Sequence, residues 1–130
     1  MKLDNALCFK NRNEWRTWLE TNHKFSKEVW LVHYKKSSSK SSISHIDAVE
    51  EALCFGWIDS KLIKIDKDRF VLKYSPRKLK SVWSKINKEK AEELITLGKM
   101  TQSGLDKIEE AKTHGLWDCA YTNKVKERVP

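Results

Sequence analysis

The groups best placed for chemistry in this 130-residue sequence fall in two short stretches. In the first, Asp59 follows Trp57 and Ile58 at a junction between a helix and a strand. A carboxylate in such apolar company has to be paired or solvated, because an isolated buried charge is very costly. In the second, Arg77 and Lys78 stand just ahead of a helix start that Ser81 is expected to cap, with Trp83, Ser84 and Asn87 close behind. Unsatisfied backbone N–H groups, the positive end of the helix dipole and adjoining cations together suit an anion. The indoles of Trp57 and Trp83 are able to wall such a site or to stack on a base. Lys73, Lys80, Lys85 and Lys88 extend it into a basic patch. The plain structural counterpart is that Asp59 pairs with Arg77 to close an edge of the core while both indoles simply pack.

Other chemistries find little support. His23, His33, His45 and His114 share no ligand spacing with one another or with the cysteines, so no metal site is expected. His33, alone within a strand, reads as a hydrogen-bonded structural residue. There is no GxSxG or P-loop string, and four glycines leave little for a phosphate-cradling loop. Cys54 has Leu53 and Phe55 as neighbours, and burial there raises a thiol pKa and blunts its reactivity. No cofactor is expected.

Seven elements must position these groups. Asn11 with Glu14 marks a capped helix whose Trp15, Trp18 and Leu19 form one buried stripe, ending near Asn22. Residues 29–34, Val-Trp-Leu-Val-His-Tyr, read as a strand covered on both faces or nearly so. The low-complexity run from Lys35 to Ser42 cannot bury apolar surface and is expected to be a mobile loop. Ser44 with Asp47 caps a second helix that buries Ile46, Val49 and Leu53, and Gly56 ends it. A hairpin follows, with strands from Trp57 to Ile65 and from Arg69 to Tyr74 about the turn Asp66-Lys67-Asp68. A third helix is expected from Ser81, with Trp83, Ile86, Leu94 and Leu97 inward. A fourth starts near Thr101 or Ser103 and buries Leu105, Ile108 and Ala111. The order αβαββαα predicts an α+β fold: about four helices on a small mixed or antiparallel sheet of about three strands. One domain is expected over residues 1–117, with 118–130 as a tail.

Composition fits that reading: 39% hydrophobic residues with six tryptophans under a shell in which 34% are charged. No apolar run approaches the length that spans a bilayer, and the N-terminus is too short in apolar residues for a signal peptide. Three widely spaced cysteines without a CxxC motif indicate reduced thiols and a cytoplasmic setting. The net charge is +8, and residues 69–90 hold eight cations against the single acid Glu89. Such a patch attracts nucleic acid, anionic head groups or an acidic protein partner, or else serves as a solvated face.

Several strings also resemble a known family. Trp15-x-x-Trp18-Leu19 with Asn22-His23, the run from Ala52 to Ser60 (ALCFGWIDS), Pro76-Arg77-Lys78 through Trp83-Ser84 and Asn87, Gly98-x-Met100, Gly104 and Gly115-x-Trp117 are similar to the YdeI-like family, labelled bacteriocin-protection or OmpD-associated. The likeness runs from about Phe9 to Trp117. Longer members continue into a further helical segment past the position of Pro130, and Gln102 stands where proline is common. The resemblance implies a stress or antimicrobial-peptide protection factor and supplies no catalytic residues. Together these readings lead to a non-enzymatic module that binds an anionic ligand or acidic partner at the basic, aromatic-flanked cleft. The alternatives are a nucleic-acid-binding domain and a small enzyme using Asp59 as general acid or base.

Overall fold

The computed structural model describes residues 5–78 and 82–117. Ser81 and Lys80 of the expected cleft, and the expected tail 118–130, lie outside the described residues. The elements run α1 (Arg12–Asn22), β1 (Val29–Tyr34), α2 (His45–Cys54), β2 (Trp57–Lys64), β3 (Arg69–Pro76), α3 (Lys85–Thr96) and α4 (Gln102–Thr113). This is an α+β fold with four helices and a three-stranded antiparallel sheet among the described residues, in the order αβαββαα. None of its helices is long and apolar enough to cross a membrane.

Local chemistry sets most of the boundaries. Asn11 caps α1 by accepting from the Glu14 N–H at 3.0 Å, while Glu14 accepts from the Lys10 N–H at 2.8 Å. Ser44 caps α2 by accepting from the Asp47 N–H at 3.1 Å. The helix stops where Gly56 adopts φ of 75°, a left-handed conformation that costs glycine nothing. Asp66 closes the hairpin turn by accepting from the N–H groups of Asp68 and Arg69, both at 2.9 Å.

The hairpin strand β3 takes the centre of the sheet, in the order β1-β3-β2. His33 pairs with Phe70 and Leu31 with Leu72 on one side, and Asp59 pairs with Tyr74 on the other. Between Asp59 and Leu62 the β2 strand carries one extra residue, so the register shifts immediately after Asp59. The outer edge of β1 is partly satisfied by Leu7, whose N–H donates to Trp30 O at 2.9 Å and whose carbonyl accepts from the Val32 N–H at 2.8 Å. β1 alternates between buried and half-buried positions, so it is covered less evenly than its apolar run suggests.

Aromatic packing holds the helices to the sheet. Trp15 is fully buried, stacks on Trp18 at 5.5 Å between centroids and meets Tyr74 edge-on at 5.3 Å. Its indole N–H donates to Ala48 O on α2 at 2.9 Å, which satisfies the one polar atom that burial would otherwise strand. The α1–α2 seam also holds Glu51, buried and gripped by Arg12 and Arg16 at 2.8 and 2.9 Å. Three expected core residues, Ile46, Ile86 and Leu97, face outward instead. The α3 helix begins at Lys85 behind an N-cap at Ser84, three residues later than Ser81, and this shifts its buried stripe to Ala91 and Leu94.

The α4 helix docks on the end of α2 through Gly104. A methyl group there would collide with Met100 Sδ and lie 2.5 Å from Cys54 O. That carbonyl also accepts from the N–H of Thr101 at 3.0 Å and from its hydroxyl at 2.5 Å, so it cannot move aside cheaply. Alanine inside a helix is worth about 1 kcal/mol over glycine, whereas overpacking against a fixed neighbour costs about 1–3 kcal/mol. Gly104→Ala is therefore expected to lose stability, by up to about 2 kcal/mol net, in urea unfolding followed by tryptophan fluorescence. An unchanged midpoint would mean that α4 slides along α2 without penalty.

Candidate functional site

Among the described residues of the expected cleft ahead of α3, the indoles and the guanidinium are buried. Trp57 is 1% exposed and Trp83 is 3% exposed, so neither indole is available to stack on a base. The Arg77 guanidinium is buried, lies 3.9 Å from the centroid of the Trp83 ring and donates to Val82 O at 3.1 Å. Trp83 in turn meets Trp117 edge-on at 5.1 Å. A desolvated cation held over an indole face strengthens the core and presents little charge to a ligand. Ser84 Oγ caps α3 by accepting from the Asn87 N–H at 3.1 Å. Lys78 and Lys85 are exposed. Lys73 pairs with Glu28 at 3.3 Å, and Lys88 sits 5.3 Å from the Trp117 ring. Among the expected site residues that are described, only Asp59 adjoins a cavity, through its bond to His45.

A cavity lies where the 35–42 loop returns to α2. It has a volume of about 360 Å³ and is lined by His33 and Tyr34 from β1, by loop residues including Lys35, Lys36 and Lys40, by Ser44 and His45 at the start of α2, and by Phe70 from β3. Five of the lining residues are serines and none is acidic. No ion pair reaches Lys35, Lys36 or Lys40 among the described residues, in contrast to Lys73, Lys90, Lys107 and Lys112. A second hollow of about 300 Å³ adjoins it, sharing Tyr34, Ser38, Ser39 and Lys40 and bounded by the Asp66–Arg69 turn.

The loop is anchored rather than loose at its ends. The Tyr34 N–H donates to Ser42 Oγ at 2.8 Å, and the Lys35 N–H donates to Asp68 O at 2.8 Å. The Ile43 N–H donates to Phe9 O at 2.9 Å. Ser38 and Ser44 accept backbone N–H groups, which leaves each hydroxyl hydrogen able to donate elsewhere.

Beneath the loop lie two linked pairs of polar side chains. His33 Nδ1 is 3.1 Å from Ile43 O and Nε2 is 3.0 Å from the Tyr74 hydroxyl. A carbonyl only accepts, so Nδ1 carries the hydrogen, and in a neutral ring Nε2 accepts from the tyrosine O–H. His45 Nε2 is 2.8 Å from Asp59 Oδ2, a partner that lies fourteen residues away in the chain. The two imidazoles are 6.3 Å apart. Burial holds the His33 pKa below the ordinary histidine value, reinforced by His45 and opposed by the Ile43 carbonyl. Burial, and then the Asp59 charge, push the Tyr74 hydroxyl well above the usual tyrosine range. Both groups therefore stay neutral near pH 7. Among the described residues no group of three or more His, Cys, Asp or Glu side chains is placed to hold a metal ion.

Residues 7–107 match a family described as a domain of unknown function (DUF8412). The chain belongs to that family. The match takes in the whole cavity, and the DUF8412 description assigns it no activity and no link to the YdeI-like proteins. No curated protein and no solved structure matches the chain.

The His33 assignment has a measurable consequence. Its folded pKa is depressed, so between that value and the unfolded value near 6.5 the unfolded chain binds a proton that the folded chain does not. Stability should accordingly fall as pH drops below about 6.5, because acid favours the unfolded state. Urea midpoints of wild type and His33→Gln at pH 7.5 and pH 5 test this. The variant should be less stable at both pH values but lose less on acidification, and an equal loss in both proteins would place the titration elsewhere.

Proposed function

We propose that this protein is a binding module for a small anionic ligand, seated between the 35–42 loop and the start of α2. The observation that carries the reading is a cavity with three lysines, five serines and no carboxylate in its lining, the lysines having no ion pair among the described residues. Uncompensated cations around a concave surface lower the energy of an anion there, and serine hydroxyls add donors without adding charge. The first-turn amides of α2, capped by Ser44, add the positive end of a helix dipole. The volume of about 360 Å³ admits a small molecule and not a folded partner.

Nucleic acid fits less well, since the indoles on which bases would stack are buried. A cationic peptide of the kind implied by the YdeI-like resemblance would meet three lysines of its own sign.

Titration of the full chain with inorganic phosphate, followed by ¹H–¹⁵N NMR, tests the proposal. Saturable shifts should concentrate in residues 34–46 and weaken with added salt, as Coulombic attraction is screened. Replacing Lys36 and Lys40 together by Gln should weaken binding about tenfold or more, which corresponds to about 1.4 kcal/mol. Absence of any saturable shift in that segment at low salt would sink the proposal. An oligonucleotide whose binding is lost in Lys85→Gln plus Lys88→Gln would return the function to the basic patch.

A further inference from the structure

The His45–Asp59 pair gives the cavity a base as well as a charge, an inference that rests on the anion-binding reading. The pair is built from separate elements: His45 is the first residue of α2, and Asp59 lies on β2 immediately before the extra residue that shifts the strand register. Asp59 Oδ2 at 2.8 Å accepts the Nε2 hydrogen and so fixes the tautomer that leaves a lone pair on Nδ1. Nδ1 has no hydrogen-bond partner among the described residues, and the ring is half exposed where it lines the cavity. The side chains packed behind it, His33 and Tyr74, are already bonded to each other at 3.0 Å. They do not compete for that lone pair. A histidine held by a carboxylate, beside a pocket of uncompensated cations, has the parts that water-mediated ester cleavage requires.

We propose that the site hydrolyses phosphate monoesters, with His45 as general base and Asp59 as the positioning residue that holds its ring. A monoester dianion matches the lysine-rich lining better than a carboxylate does, since it offers two charges and three acceptor oxygens. In the step itself, His45 Nδ1 takes a proton from water as the water oxygen forms a bond to phosphorus. The bond from phosphorus to the ester oxygen breaks, and the departing alkoxide takes the proton back from the imidazolium. The products are the alcohol and inorganic phosphate, and His45 ends neutral. The lysines offset the negative charge on the non-bridging oxygens throughout. Asp59 thus acts through His45 and does not itself exchange a proton with substrate.

The test uses the full chain, p-nitrophenyl phosphate as substrate and release of nitrophenolate as readout, alongside the phosphate titration. Wild type should turn over. His45→Gln, with its fold checked by circular dichroism, should lose a hundredfold or more of kcat, within the span of about 10²–10⁴ that general-base catalysis covers. Asp59→Asn should lower kcat while leaving KM and phosphate affinity unchanged, whereas Lys36→Gln plus Lys40→Gln should raise KM. Wild type that binds phosphate yet releases no nitrophenolate above the buffer rate overturns the hydrolytic proposal and leaves the binding module standing. Folded His45→Gln that turns over at the wild-type rate also overturns it. A wild type that fails to bind phosphate removes the anion pocket and the hydrolysis together.

Discussion

The hydrogen bond from the buried His33 ring to Ile43 O is the contact on which the cavity depends. It spans the loop between the end of β1 and the start of α2, and it is made inside the core, where a lost partner would leave a desolvated polar atom. Tyr74 holds the other nitrogen from the central strand, so the imidazole is fixed between sheet and loop. Phe70 stacks on the same ring at 5.3 Å and 17°. With Ile43 pinned from within and its N–H tied to Phe9, Ser44 and His45 enter α2 at a set place. Only then does His45 come within hydrogen-bonding reach of Asp59. The 35–42 loop contributes no buried side chain and could not hold that geometry by itself.

Charge is distributed to the same end. The acids of α2 are spent on the helix–helix seam, where Arg12 meets Asp47, Glu50 and Glu51, and Lys90 meets Glu50. Such pairs stabilise modestly at the surface, but Glu51, almost fully buried, needs both of its arginines to be tolerated at all. The carboxylates are thereby drawn toward α1 and away from the loop. The lining of the cavity is rich in lysine and serine, a local composition that the overall charge of +8 only hints at.

Much of the fold was legible because it obeys rules that act over three or four residues. Asn11 and Ser44 with their first-turn partners, Gly56 as a helix stop and Asp66 as a turn former each decide a boundary from nearby atoms. The third helix shows the limit of such rules. Ser81 and Ser84 are chemically equal caps, and the choice fell to Ser84, which leaves Trp83 just outside the helix where it packs against Arg77 and Trp117. The basic run from 69 to 90 looked like a surface for the same reason: sequence shows the cations and not the ring or carboxylate that Arg69, Lys73, Arg77, Lys88 and Lys90 meet. The cavity was illegible because its decisive pairs are distant, His45 with Asp59 across fourteen residues and His33 with Tyr74 across forty-one. One signal was present in advance. A histidine in an alternating buried strand must find partners for both nitrogens, and Asp59 in apolar surroundings had to be paired.

A serine- and lysine-rich loop is ordinarily explained as solvated chain, and composition alone cannot separate that from a binding loop. The anchoring does. Solvated chain has no use for a backbone tied at Tyr34, Lys35 and Ile43, or for a tight turn in which Ser38 accepts the Lys40 N–H. Each tie costs conformational entropy that a merely solubilising segment would keep. The ties fix the ends and the turn while the lysine side chains keep their rotamer freedom at the mouth. Under the proposed anion-binding reading, such a loop would present hydroxyls and amides at defined places and bring long cations to the ligand. The ordering entropy of the backbone is then met on folding, by hydrogen bonds to the sheet and to the chain ahead of α1, and not at the moment of binding.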